Sequence, residues 1–131
     1  MASSGDTLPP PAEAATVKAT CHCGRVTVEM PSKPVKLNEC RCSVCYKYGA
    51  LWGYFQRDTV TVTTAEGANL VPYVRADTEG GLSFNHCSHC GCMTNWWGLG
   101  PYSEPTRKMG VNCRLLPEKD IEGIPRKVEY C

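Results

Sequence analysis

Apolar and polar positions alternate at Val26, Val28 and Met30, and a β-branched run, Thr-Val-Thr-Val-Thr-Thr, fills positions 59–64. A period of two marks strands that bury one face. A third such stretch, Leu82-Ser-Phe84, leads into a cysteine pair, and further strand candidates are 35–39, 50–56, 70–75, 93–97 and 108–114, separated by Gly and Pro. Helical periodicity is scarce. Positions 117–121, Pro-Glu-Lys-Asp-Ile, suit one helical turn, because proline and acidic residues favour a helix start. The pattern predicts an all-β domain.

Residues 1–15 are rich in Ala, Pro and Ser, with three prolines at 9–11, and are expected to form an extended, disordered tail ahead of a zinc-binding β domain over 16–131. There is no internal repeat. With 14 basic and 13 acidic side chains the net charge is +1, which creates no field to gather nucleic acid or an anionic membrane. The expected partner is therefore a small molecule or a protein. No run reaches the ~18 apolar residues of a spanning helix. The first 20 residues lack the basic start and apolar centre of an export signal. The expectation is a reducing compartment, the cytoplasm or nucleus, with neither membrane nor nucleic-acid contact.

Ten cysteines in 131 residues can serve as disulfides or as thiolate ligands. The pairs Cys21-x-Cys23 and Cys40-x-Cys42 are too closely spaced for ordinary bridges within the pair, whereas short steps suit sulfurs that converge on one ion. Cys21-His-Cys23-Gly24 and Cys87-Ser-His-Cys90-Gly91 both end in Cys-Gly, the form of a knuckle whose backbone amides point at thiolates. Cys21, Cys23, Cys87 and Cys90 are assigned to one closed, structural zinc.

Cys40-Arg-Cys42-Ser-Val-Cys45 places three thiols on what reads as a loop between strands. Three protein ligands with an exchangeable fourth position are the usual arrangement of catalytic zinc. The competing reading is a second structural zinc closed by Cys92, Cys113 or Cys131. Cys92 reads as a core residue, Cys113 as a buried thiol and Cys131 as a terminal one. His22, His86 and His89 flank ligand cysteines but are not needed to complete either sulfur count. Trp52 and Tyr54 fall on one face of a strand and Phe55 on the other, so one set can pack inward while the other lines a cleft beside the second metal.

The ordered motifs Cys21-x-Cys23-Gly24, Cys40-x-Cys42-Ser-x-Cys45 and Phe84-x2-Cys87-x2-Cys90-Gly91 resemble the glutathione-dependent formaldehyde-activating enzyme family, which includes the centromere protein V type. Gly49, Phe55, the 70–73 stretch and Gly110-Val-Asn112-Cys-Arg114-Leu add to the resemblance, which spans about residues 17–128. It implies a β-tent fold of packed antiparallel sheets crosslinked by zinc. It also implies a structural zinc on Cys21, Cys23, Cys87 and Cys90 and a second on Cys40, Cys42 and Cys45. The implied chemistry is that of a carbon–sulfur lyase, such as addition of the glutathione thiol to formaldehyde or a related step on a thiol adduct.

The open zinc would bind a thiol as thiolate or polarise a carbonyl, although three thiolates blunt its Lewis acidity. Arg25, Arg41, Lys47 and Arg57 are candidates for holding the carboxylates of glutathione, although scattered surface charges are the ordinary reading of such residues. Two alternatives stand beside this one. One is a family relative that catalyses another lyase or isomerase step on a specialised metabolite; the other is a non-catalytic zinc module that binds protein.

Overall fold

A computed structural model describes residues 16–75 and 80–130; the expected N-terminal tail and Cys131 lie outside the described residues. Among these residues, ten strands and two short α-helices follow one another as β1 (Val17–Thr20), β2 (Val26–Met30), β3 (Leu37–Cys40), α1 (Ser43–Tyr48), β4 (Trp52–Gln56), β5 (Thr61–Thr64), β6 (Leu70–Val74), β7 (Leu82–Cys87), β8 (Met93–Gly98), β9 (Lys108–Asn112), α2 (Glu118–Ile121) and β10 (Arg126–Glu129). The class is all-β, as the alternation predicts.

The strands form a three-stranded sheet, β1-β2-β5, and a seven-stranded sheet, β10-β3-β4-β9-β8-β7-β6. Pairing is antiparallel except at one place: β10 runs parallel to β3, with Glu129 opposite Cys40. This departs from the purely antiparallel expectation. The alternation of β2 does what it predicts, since Val26, Val28 and Met30 are all buried while Thr27 and Glu29 are partly exposed.

Among the described residues the buried side chains form two larger cores and a small third around Cys21, Val26 and Cys87. Ala19, Val28 and Met30 of the small sheet pack with Leu37, Leu51, Met109 and Val111, and Phe55 joins this core from β4. Trp52, Phe84, Met93, Cys40 and Cys45 form the second, with Tyr54 and Trp96 packed against it. Removal of this apolar surface from water is the main stabilising contribution, on the order of 1.5–3 kcal/mol per large side chain.

Asn112 at the end of β9 ties the middle of the large sheet. Its side-chain oxygen accepts from the Leu51 and Arg114 amides, each at 3.2 Å, and its nitrogen donates to the Met93 carbonyl at 2.9 Å. The 117–121 turn is helical as expected, with Pro117 at its N-cap. Among the described residues, no helix is long and apolar enough to cross a membrane.

Candidate metal centres

The four-cysteine group joins two turns that belong to different sheets. Cys21 and Cys23 lie between β1 and β2, while Cys87 ends β7 and Cys90 lies in the turn that follows it, before β8. Their four sulfurs all fall within 4.8 Å of one another. Cys23 Sγ stands 3.6 Å from both Cys21 Sγ and Cys87 Sγ. Zinc–sulfur bonds of ~2.3 Å at the tetrahedral angle separate sulfurs by about 3.8 Å, so the donor set fits a closed tetrahedral zinc.

The backbone is folded to serve those sulfurs. The Val26 amide donates to Cys21 Sγ at 3.2 Å, and the His89 and Cys90 amides donate to Cys87 Sγ at 3.3 and 3.5 Å. Each knuckle then turns back through a glycine in the left-handed region, Gly24 at φ +82° and Gly91 at φ +81°. Burial pushes the Cys21 thiol up to about 11, whereas at Cys90 the opposing burial is overcome by the Cys92 and Cys23 amides, which hold it down to about 5. An ion that replaces the protons removes this conflict between clustered thiols. Cys92 packs beside the group without joining it. His22 and His89 are exposed and His86 half-buried, and none belongs to either cysteine group.

The second group, Cys40, Cys42 and Cys45, also has all its sulfurs within 4.8 Å of one another. The expectation of a loop is corrected here. Cys40 ends β3, Cys42 caps the N-terminus of α1, and Cys45 sits inside that helix. Cys42 Sγ accepts the Cys45 amide at 3.4 Å, and Gly49 at φ +66° closes the helix by donating to the Cys45 and Tyr46 carbonyls. Burial pushes Cys45 up to about 12. At Cys42 burial acts the same way but is outweighed by the Cys45 amide and, among lesser causes, by the positive charge of Arg75. Cys40 stands disulfide-bonded, while the other described cysteines are free thiols, so Cys40 must be reduced before it can ligate.

These three cysteines line a pocket of about 200 Å³. Its walls are Trp52, Tyr54, Phe84 and Trp96, with Leu82 and Arg75 completing it. The aromatic row follows from register: Phe84 pairs with Trp96 across β7 and β8, Trp96 with Gly110 across β8 and β9, and Gly110 with Tyr54 across β9 and β4. The Tyr54 and Trp96 rings meet edge to face at 6.0 Å across the strand that carries Gly110. A Cβ at Gly110 would lie 2.1 Å from Trp96 Nε1, so the bare backbone makes room for the indole.

Trp52 and Tyr54 thus face the cysteine-lined pocket together and Phe55 turns to the other core, as their spacing implies. Asn38 Nδ2 donates to Tyr54 Oη at 2.9 Å and also to the Glu129 carboxylate. Burial raises the Tyr54 pKa, so its hydroxyl keeps its proton. The buried Trp52 N–H has no hydrogen bond of good geometry, yet it lies toward Cys45 and favours that thiolate.

None of the basic residues singled out from sequence lines the pocket. Arg41 pairs with Glu39 at 2.6 Å, and Arg57 stacks 4.4 Å from the Trp97 ring. Among the described residues, the cation beside the cysteines is Arg75, 4.0 Å from Cys42 Sγ and 3.4 Å from Ser43 Oγ. Sequence reasoning missed it because Arg75 sits in no motif. Cys113 is fully buried, its thiol raised to about 12 by burial, and lies apart from both groups.

A model of the glutathione-dependent formaldehyde-activating enzyme family matches residues 16–116. A crystal structure of a Rhodobacter sphaeroides protein, solved as a structural-genomics target, is similar with a TM-score of 0.64 and 24% identity, covering 85% of this chain and 100% of that one. At that identity the likeness concerns the fold. No curated protein matches the chain.

Proposed function

Because the chain belongs to the glutathione-dependent formaldehyde-activating enzyme family, we propose that it is a zinc-dependent carbon–sulfur lyase working at the Cys40, Cys42 and Cys45 pocket. The observation that carries this reading is the placement of a three-sulfur group in the wall of an aromatic pocket, where a fourth ligand can enter. Cys21, Cys23, Cys87 and Cys90 would hold a second zinc with a filled shell, which leaves it a structural role.

When bound at the three cysteines, zinc supplies activation of a thiol as thiolate and polarisation of a carbonyl oxygen. The chain's own groups complement that chemistry. Tyr54, oriented by Asn38, presents a protonated hydroxyl as hydrogen-bond donor. Arg75 offsets part of the negative charge that three thiolates bring, and the aromatic walls keep water out, which strengthens both effects. In the family's reaction the thiol sulfur bonds to the formaldehyde carbon and the thiol proton ends on the oxygen; the lyase direction reverses this. Residues 16–131 act as one catalytic unit in a reducing, cytoplasmic setting that keeps Cys40 reduced.

A second reading has support from size. The pocket, at about 200 Å³, is smaller than the roughly 300–1,000 Å³ usual for drug-sized ligands. It takes the reacting end of glutathione or the whole of a smaller molecule, which favours a relative turned to another lyase or isomerase step.

The test is the rate of S-hydroxymethylglutathione formation from glutathione and formaldehyde, measured by exchange NMR against the uncatalysed rate. The proposal expects acceleration that Cys42→Ser abolishes while the fold persists. A folded, fully metallated protein without acceleration would transfer the assignment to the smaller-substrate reading.

A further inference from the structure

Tyr54 is held from behind by two side chains, and the second of them lies on β10, outside the residues 16–116 that the family model matches. β10 runs parallel to β3, with Lys127 opposite Asn38 and Glu129 opposite Cys40. The buried Asn38 amide nitrogen makes two hydrogen bonds, to Tyr54 Oη at 2.9 Å and to Glu129 Oε1. Glu129 turns its other carboxylate oxygen to Lys127 Nζ at 3.4 Å. The two ends of a carboxamide have the same shape, so charge decides which is which: a carboxylate only accepts, and the end of Asn38 that faces Glu129 must be the NH2. The same nitrogen faces Tyr54, whose oxygen must then accept. The Tyr54 proton is left to the pocket, where Tyr54 lines the wall together with Cys40, Cys42 and Cys45. This orientation leaves Asn38 Oδ1 buried without a hydrogen-bond partner. Turning the amide over would give that oxygen the Tyr54 proton, but would also set it against the Glu129 charge, and the charge-assisted bond is the stronger of the two.

We propose that Glu129 is a positioning residue of the three-cysteine pocket: its carboxylate locks the Asn38 amide and so aims the Tyr54 hydroxyl proton at an oxygen acceptor of the substrate, a carbonyl or hydroxymethyl oxygen. The inference rests on the reading of that pocket as the reaction site, and it deepens that reading by giving β10 a part in it. Glu129 touches no substrate and acts through Asn38. Because Asn38 donates to the phenol oxygen, it also polarises the O–H and makes it the better donor. Such a donor gains most where negative charge gathers on the oxygen as the thiol sulfur bonds to the carbon beside it.

The tyrosine doublet in ultraviolet resonance Raman spectra reports whether a phenol oxygen accepts a hydrogen bond or its hydroxyl donates one, and subtracting the spectrum of Tyr54→Phe isolates Tyr54 among the six tyrosines. In the full-length zinc-loaded protein the doublet should show Tyr54 accepting. Glu129→Gln, which keeps the shape and removes the charge, should move it toward the donor form as the Asn38 amide turns over, and Glu129→Asp, which keeps the charge, should hold it nearer the unaltered protein. Circular dichroism and zinc content establish that each variant is folded and loaded. A second reading needs no change at position 129: in nitrogen-15 NMR of the unaltered protein both Asn38 side-chain amide protons, assigned by their loss in Asn38→Ser, should lie downfield and exchange slowly with water. A Tyr54 doublet that Glu129→Gln leaves unmoved overturns the proposal, and so does an Asn38 amide proton that exchanges freely. Where glutathione and formaldehyde react on the protein, Glu129→Gln should lower kcat roughly fivefold with KM held, and should have no further effect in Tyr54→Phe; an equal loss in both backgrounds would contradict the role. The spectra read Tyr54 whether or not these substrates react, so failure of the lyase reading and failure of this proposal are told apart.

Discussion

Gly110 shows how one absent side chain builds the pocket. It lies between Trp96 and Tyr54 in the sheet, and a Cβ there would sit 2.1 Å from the Trp96 indole nitrogen. Gly110→Ala must displace the indole, because the strand on either side is held in its ladders. The expected cost is ~1–3 kcal/mol, read as a lower urea midpoint. An unchanged midpoint would mean that the indole swings aside freely. At this scale much of the candidate site was legible in sequence. The seven clustered cysteines announce themselves by spacing, and the shared face of Trp52 and Tyr54 follows from the period of a strand. Arg75 was not legible: it follows β6 in sequence and reaches Cys42 and Ser43, more than 30 positions away, only through the fold of the large sheet.

Among the elements, α1 and β10 depart most from the sequence reading. Ser43–Tyr48 holds a β-branched Val44 and two tyrosines and spans under two turns, so neither propensity nor periodicity marks a helix there. Its ends make it: Cys42 accepts the Cys45 amide at one, and Gly49 closes the other at φ +66°. The element that carries two of the three sulfurs is therefore held by its caps. Gly49→Ala, with open space around the new methyl group but an unfavourable left-handed backbone, is expected to cost ~1–2 kcal/mol. It should also speed zinc loss to a chelator from the second site while the first site is unaffected; equal rates at both would contradict the capping role. β10 escaped notice because Arg126, Lys127 and Val128 are all exposed, so no alternation betrays a strand. Its parallel place beside β3 brings Glu129 to Asn38, and Asn38 in turn orients Tyr54.

Across the whole molecule, the two sulfur groups hold different things. The four-cysteine group ties the three-stranded sheet to the β7–β8 turn of the large sheet, so its loss separates layers. The three-cysteine group joins β3 to its own neighbour α1 beside a pocket, so its loss leaves the layers joined. Cys87→Ser is accordingly expected to lower Tm by more than about 10 °C or to prevent folding, since structural zinc contributes on the order of 10 kcal/mol to small domains. Cys42→Ser should shift Tm by only a few degrees. The all-β class and the two cysteine groups were both readable beforehand, from alternation and from cysteine spacing; the placing of β10 beside β3 and of β4 beside β9 in the seven-stranded sheet was not, because long-range pairing leaves no local pattern.

The measurement that tests the central claim most directly is zinc per chain in reduced protein, before and after mild chelation, with Tm and turnover of glutathione and formaldehyde followed in parallel. The account predicts two zincs, one removed readily with loss of turnover and the fold intact, and none of that labile zinc when Cys40 is kept oxidised. Two equally resistant zincs without turnover would contradict it, and would make the second group a closed structural site.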